Sequence, residues 1–162
     1  MGLFNIILKD KHVTSLKEGQ KAPYFKGRDE NGREISLDDF KGKKLLLYFY
    51  PKDDTSGCTA QSRNLRDSYD AFLNKGYAVV GVSADDEASH QAFKSKYSLP
   101  YPLIADTEHQ LIKAYDVWGK KLVLGAPYEG IIRTTFIISE EGIIEKIITE
   151  VDTANHAEQV LA

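Results

Sequence analysis

The hydrophobic pattern predicts two central strands and several shorter ones. Residues 45–50 and 78–83 are apolar runs without polar alternation, as expected for strands buried on both faces of a sheet. The runs end where polar or turn-forming residues follow. The complete set of predicted strands outside the N-terminal region is residues 45–50, 78–83, 103–104, 134–138 and 143–149.

Helical periodicity separates these strands along the chain. The first predicted helix carries its apolar residues on one face and is ended by Gly76, a residue typical of a helix C-terminus. The predicted helices are residues 58–75, 86–97, 107–115 and 155–161. Alternation of strands and helices predicts an α/β protein with a mixed central sheet and helices on both faces, which is the layout of a thioredoxin-like fold.

Two hairpins are predicted from turn residues. Residues 25–37 form an N-terminal hairpin in which Asn31 and Gly32 predict a type I′ turn. The late hairpin turns at Glu141 and Gly142. With 162 residues and no repeat or long linker, residues 1–162 are interpreted as a single domain whose residues 1–15 form an N-terminal extension.

Composition excludes several classes of function. The net charge is −3, so no basic field is present to attract nucleic acid. The apolar runs are far too short to span a membrane, and the N-terminal residues 2–8 lack the basic leader and long apolar core of a signal peptide. The single cysteine excludes an internal disulfide and favours a reducing compartment, which predicts a cytoplasmic protein.

That cysteine, Cys58, is predicted to lie at the start of a helix, after a turn that contains proline and glycine. Leu65, Tyr69 and Phe72 follow it at helical spacing, so Cys58 belongs to the face directed at the core. A free cysteine with a pKa near ~8.5 is mostly protonated at neutral pH, whereas the unpaired N–H groups and positive dipole of a helix N-terminus favour the thiolate. The position therefore predicts a reactive thiol.

Other interpretations of the cysteine stay open on this evidence. A lone cysteine is often a small buried hydrophobic residue. Asp53 and Asp54 disfavour a thiolate unless their carboxylates point away. Dithiol exchange is excluded because Cys58 is followed by Thr59, Ala60 and Gln61 without a second cysteine. Scattered histidines disfavour a metal site and supply no evident base for a cysteine protease; they are His12, His90, His109 and His156.

The pattern Pro51-x-x-x-Thr55-x-x-Cys58 resembles the active-site signature of the peroxiredoxins. Its context is similar to the PrxQ branch of that family, also called bacterioferritin comigratory protein, and the likeness runs from about residue 16 to the end. The segments that carry it are residues 16–23, 48–59, 64–67, 117–119, 130–138 and 153–156.

The resemblance implies a catalytic set. Cys58 would be the peroxidatic cysteine, which is oxidised to sulfenic acid. Thr55 would offer its hydroxyl, Gly57 and Cys58 their backbone N–H groups, and Arg133 a permanent positive charge. Pro51 would limit access of water. Taken singly, Thr55 is equally explained as a helix N-cap, Pro51 as the end of a strand, and Arg133 as a surface residue.

The family implies hydrogen peroxide and organic hydroperoxides as substrates, with no cofactor and no metal. Tyr50 and Trp118 are candidate apolar walls of the substrate site, although aromatic residues on a strand are more often part of the core. The resemblance also allows a monomer or a weak homodimer.

The chain departs from many members of this branch at one position. They carry a second, resolving cysteine five residues after the first, where this chain has Arg63. An i,i+5 step on a helix separates the Cα atoms by roughly 8–9 Å, beyond the roughly 7 Å that a disulfide allows, so two-cysteine members must unwind the helix. The same geometry places Arg63 in solvent, away from Cys58.

Without a resolving cysteine, we expect a one-cysteine peroxidase reduced by an external thiol: thioredoxin, glutaredoxin or glutathione. Arg63 could attract an acidic reductant or a glutathione carboxylate. Two alternatives stay open at this point. One is a thioredoxin-fold binding module or peroxide sensor that no longer turns over, and the other is a glutathione-dependent transferase.

Overall fold

The computed structural model of the protein describes residues 11–162. Its nine strands are β1 Lys26–Arg28, β2 Glu34–Ser36, β3 Lys44–Phe49, β4 Tyr77–Ser83, β5 Leu103–Ala105, β6 Trp118–Val123, β7 Ala126–Ile131, β8 Thr134–Ile138 and β9 Ile144–Ile148. The five α-helices are α1 Ser56–Asp67, α2 Tyr69–Asn74, α3 Glu87–Tyr97, α4 Gln110–Ala114 and α5 His156–Leu161, and a 3-10 helix covers Leu37–Phe40.

A five-stranded sheet with the order β5-β4-β3-β8-β9 forms the centre. Strand β3 pairs in parallel with β4 and antiparallel with β8, so the predicted mixed sheet is confirmed. Successive residues of β3 point to opposite faces. Leu45 and Leu47 lie in one core cluster and Leu46 and Tyr48 in another, which confirms that this strand is buried on both faces.

Helices cover both faces of this sheet, as predicted. Leu65 of α1, Phe72 of α2, Phe93 of α3 and Val160 of α5 share one core cluster. The other cluster takes residues from α4, from the β1–β2 hairpin and from the 3-10 helix. The catalytic candidate Cys58 belongs to the first cluster, so the four helices on that face shape its surroundings.

The prediction of one helix over residues 58–75 was wrong in one respect, because α1 and α2 are separate helices. Ser68 lies between them with φ −104° and ψ 11°. Serine competes with the helix for backbone hydrogen bonds and is better suited to a helix end than to an interior. The predicted stop at Gly76 is confirmed by its left-handed backbone, φ +81°.

The N-terminal hairpin is present, but its type I′ turn was a wrong prediction. That turn needs positive φ at both central residues, and only Gly32 has it. The Asp29 carboxylate accepts hydrogen bonds from the N–H groups of Asn31 and Arg33 at 2.8 and 3.0 Å. This side chain holds a longer loop in place of the two-residue turn. The late hairpin does turn around Gly142, as expected.

The β6–β7 hairpin was missed in the sequence. Val123 pairs with Ala126, so Leu124 and Gly125 form a two-residue turn, and both have positive φ. Most of the hairpin is exposed, and its sequence lacks the buried alternation that marks a strand. The hairpin matters for function because Arg133 follows β7 after one intervening residue.

The predicted N-terminal extension lies partly outside the described residues, which begin at Lys11. In its described part, His12 donates its backbone N–H to the carbonyl oxygen of Lys120 on β6. Thr14 donates its hydroxyl to the carbonyl oxygen of Tyr115 at 2.7 Å. Among residues 11–162, no helix combines the length and the apolar character needed to cross a membrane.

Candidate active site

Cys58 lies in the first turn of α1 and is fully buried. The predicted core-facing stripe is confirmed, since Leu65 and Phe72 share its core cluster and Tyr69 packs against that cluster. The first hydrogen bond of the helix runs from the N–H of Thr59 to the carbonyl oxygen of Thr55. The N–H groups of Gly57 and Cys58 precede that bond and have no carbonyl partner within the helix.

Arg133 lies in the two-residue connection between β7 and β8, and it reaches Cys58 from across the sequence. Its Nη2 donates to the Sγ atom of Cys58 at 3.3 Å, and its Nη1 donates to Oε1 of Gln61 at 2.7 Å. Arg133 is partly buried, and it lies in the connection between the two strands and not within either of them. The Cys58 sulfur and the positive charge that was expected beside it are therefore in hydrogen-bond contact.

Gln61 is a part of this site that the sequence analysis missed. It is fully buried, and its Oε1 fixes one side of the Arg133 guanidinium. Its Nε2 has no hydrogen-bond partner among the residues that the structure describes. The signal was present in the spacing, because a residue three positions after Cys58 lies on the same helix face.

We predict that Gln61→Leu slows oxidation of Cys58 by peroxide about 10-fold, because a displaced guanidinium no longer meets the sulfur in reacting geometry. Gln61→Glu keeps an oxygen acceptor for Arg133 and is expected to preserve more of the rate. Stopped-flow measurement of the second-order rate constant compares the two variants. Equal rates for both variants and the natural protein would contradict this role.

Thr55 and Gly57 lie at the N-terminus of α1, just before Cys58. Thr55 occupies the N-cap position of α1, but its exposed hydroxyl caps no N–H group and donates to the carbonyl oxygen of Lys52 at 2.9 Å. A Cβ atom on Gly57 would lie 3.1 Å from Nη2 of Arg133. The absence of a side chain at Gly57 thus leaves the space that the guanidinium occupies. Pro51 is partly buried and comes two residues after the end of β3.

The two predicted aromatic walls occupy unlike positions. Tyr50 is fully buried in the core cluster of Cys58, and its hydroxyl donates to Oδ1 of Asp53 at 2.6 Å. Trp118 is 40% exposed on β6 and packs against the tilted ring of His109, with ring centres 4.9 Å apart. Tyr50 therefore shares a core cluster with the thiol, whereas Trp118 lies on the exposed β6–β7 hairpin.

Both aspartates that were expected to oppose a thiolate are bound to α3. Asp53 accepts from Nδ1 of His90 at 2.7 Å. Asp54 accepts from Lys96 and from the hydroxyl of Tyr97 at 2.8 and 2.7 Å, and these hydrogen bonds lower the pKa of Asp54. Their negative charges are therefore engaged by partners on another helix.

Arg63, at the position of the missing resolving cysteine, is exposed as predicted. Its guanidinium lies over the ring of Tyr97, 6.0 Å from the ring centre. The described residues contain one free cysteine, Cys58. An oxidised Cys58 therefore has no thiol within the described chain with which to form a disulfide.

The fold and this site together define a class: a thioredoxin-like protein with a single buried thiol held against an arginine. The sequence profile of the AhpC/TSA family matches residues 18–147. The chain therefore belongs to the AhpC/TSA family, and it is a peroxiredoxin, a thiol-dependent peroxidase.

Curated relatives and solved structures agree. The chain is 44% identical over 147 residues to the putative peroxiredoxin bcp of Coxiella burnetii, covering 91% of this chain and 97% of the relative. It is 41% identical to peroxiredoxin Bcp of Bacillus subtilis, covering 91% and 94%. A cysteine-to-serine mutant of Xylella fastidiosa PrxQ superposes with a TM-score of 0.85 at 29% identity, covering 92% and 95%. Xanthomonas campestris peroxiredoxin Q superposes with a TM-score of 0.78 at 34% identity, covering 85% of this chain and 87% of that structure.

Proposed function

We propose that the protein reduces hydrogen peroxide and organic hydroperoxides in a one-cysteine cycle, with Cys58 as the peroxidatic nucleophile. The observation that carries this proposal is the hydrogen bond from Arg133 to the sulfur of Cys58 at 3.3 Å. Arginine keeps its charge at any physiological pH. Negative charge on the sulfur, and on the oxygens during reaction, is thus met by a fixed cation in a buried site.

The oxidation step is a displacement at oxygen. The Cys58 thiolate attacks one peroxide oxygen, a sulfur–oxygen bond forms, and the oxygen–oxygen bond breaks. Sulfur is oxidised to sulfenic acid, and the departing oxygen takes a proton from water and leaves as water or an alcohol. The negative charge that starts on one atom is spread over three in the transition state, which is why donors around the sulfur accelerate the step.

We assign the remaining donors to the same transition state. The N–H groups of Gly57 and Cys58 lie at the N-terminus of α1, where they and the helix dipole favour negative charge. The Thr55 hydroxyl, which now donates to Lys52, turns to the peroxide when substrate binds. Pro51 shields the sulfur from water, while Tyr50 and Trp118 supply apolar surface to the substrate.

Reduction in this cycle uses a thiol from outside the chain. A first thiol attacks the sulfenic acid sulfur, forms a mixed disulfide and releases water; a second thiol then reduces that disulfide. Thioredoxin, glutaredoxin and glutathione are the proposed donors. Exposed Arg63 stands where an internal thiol would otherwise be, and the single cysteine suits the reducing cytoplasm. The proposed unit is one domain, as a monomer or weak homodimer.

Turnover with defined reductants tests the cycle. Reduced protein is mixed with excess peroxide and either a thioredoxin system or a glutaredoxin–glutathione system, and peroxide consumption is followed. Many equivalents consumed per protein with at least one system are expected. Consumption of a single equivalent with every system would contradict the cycle and favour the sensor instead.

A further inference from the structure

A buried cluster of polar side chains joins α3 to the loop between β3 and α1, and its charged members are not part of the proposed catalytic set. Asp53 is 8% exposed and His90 is fully buried. Oδ2 of Asp53 accepts hydrogen bonds from Nδ1 of His90 at 2.7 Å and from the hydroxyl of Ser89 at 2.9 Å, while Oδ1 accepts from the hydroxyl of Tyr50 at 2.6 Å.

Both ring nitrogens of His90 face acceptors. Its Nε2 lies 2.9 Å from the carbonyl oxygen of Ile104, which can only accept, and its Nδ1 faces the Asp53 carboxylate. An imidazole that donates from both nitrogens is the charged form. Burial opposes this charge, but the hydrogen bond and charge of Asp53, the Ile104 carbonyl and the charge of Asp85 outweigh it and raise the pKa of His90.

Asp85 joins the cluster from the end of β4. Its Oδ2 accepts the backbone N–H of Asp53 at 2.8 Å and the hydroxyl of Ser83 at 2.6 Å. Asp53, Asp85 and His90 also offer three ligand atoms close enough to hold a metal ion. The hydroxyl and N–H donors that already fill these carboxylates make a hydrogen-bond network the better description.

The cluster holds the loop that leads to Cys58. Helix α3 supplies His90 to Asp53, and Lys96 with Tyr97 to Asp54, so one helix binds two consecutive loop residues. Asp54 has φ +60°, a left-handed conformation that non-glycine residues rarely adopt without support. Thr55 follows directly.

Building on the proposed peroxidase cycle, we propose that the buried Asp53–His90 ion pair positions Thr55 and Cys58 for attack on peroxide. The pair touches neither sulfur nor substrate; it acts by fixing the loop between β3 and α1. Loss of the His90 charge leaves the buried Asp53 carboxylate with its hydroxyl donors but without a counter-charge, so the loop loosens and reaction geometry is lost.

The raised pKa of His90 determines how the stability of the loop depends on pH. A histidine whose folded pKa is raised stabilises the folded loop fully below its unfolded pKa, near 6.5, and loses that contribution as pH rises through the folded value. Peroxide reactivity is therefore expected to fall as pH rises through the pKa of His90, which lies above its usual value near 6.5.

The test compares Asp53→Asn, His90→Asn and the double variant with the natural protein across pH. Each single variant is expected to lower the rate constant for Cys58 oxidation about 10- to 100-fold at neutral pH and to remove the alkaline fall. The double variant is expected to lose no more than either single variant, because both act through one pair. Hydrogen exchange of the peptide at residues 50–58 should quicken in all three.

Asp86→Ala is the matched control on the same helix. Asp86 accepts the N–H of Ser89 as the N-cap of α3, and it makes no part of the Asp53–His90 pair. Its rate and its exchange at residues 50–58 are expected to match the natural protein.

Additive losses in the double variant, or single variants that keep the natural rate and pH profile, would overturn the proposal. If the variants do not fold, the natural protein is measured instead. Its histidine NMR signals and exchange at residues 50–58 must then change over the same pH interval, and independent changes overturn the proposal. If the natural protein fails to react with peroxide, the peroxidase cycle fails, while the exchange data still decide whether the pair holds the loop.

Discussion

Replacing Arg133 with alanine is expected to slow oxidation of Cys58 by about two to three orders of magnitude, the usual effect of removing a donor that stabilises developing charge. The change removes the cation 3.3 Å from the sulfur and also the partner of the buried Gln61 oxygen. The second-order rate constant from stopped-flow mixing with hydrogen peroxide measures the loss.

Two further variants make the Arg133 result specific. Arg133→Lys retains a charge but lacks the planar fork that reaches Cys58 and Gln61 together, so an intermediate rate is expected. Arg28→Ala removes an exposed arginine on β1 and is expected to leave the rate unchanged. Loss in Arg133→Ala of less than about 10-fold, in a folded variant, would contradict its role at the transition state.

Replacing Cys58 with serine is expected to abolish peroxide consumption, because an alcohol is a far weaker nucleophile than a thiolate and the chain has no second thiol. The change from sulfur to oxygen is small, so the fold should be kept. Peroxide consumption with a reductant system measures activity, and a circular dichroism spectrum checks that the fold is kept. Consumption by a folded Cys58→Ser variant at the natural rate would exclude Cys58 as the nucleophile.

The sequence predicted best where burial was strongest. Strands β3 and β4 were identified from unbroken apolar runs, and the buried face of α1 from helical spacing. The β6–β7 hairpin was missed because exposed strands carry no such pattern, and its turn uses Leu124 and Gly125 in place of the usual Asn-Gly.

Sequence reasoning identified some residues of the candidate site and missed others, because contacts between distant positions form only in the folded chain. Cys58 was singled out by its place at a predicted helix start, whereas the role of Thr55 came from resemblance to a family. Arg133 lies 75 positions after Cys58, and only resemblance to a family linked the two; the structure shows the contact. Asp53 was interpreted as a charge opposing the thiolate, because its partner His90 is 37 positions away and the pair forms only in the folded chain.

Mass spectrometry after one equivalent of hydrogen peroxide tests the central claim most directly. Reduced protein is oxidised briefly, treated with a sulfenic acid trap and digested, and the peptide containing Cys58 is analysed. The account predicts stoichiometric trapped sulfenic acid on Cys58 and a mixed disulfide at the same residue when a small thiol replaces the trap. Consumption of the peroxide with Cys58 left as an unmodified thiol would contradict it.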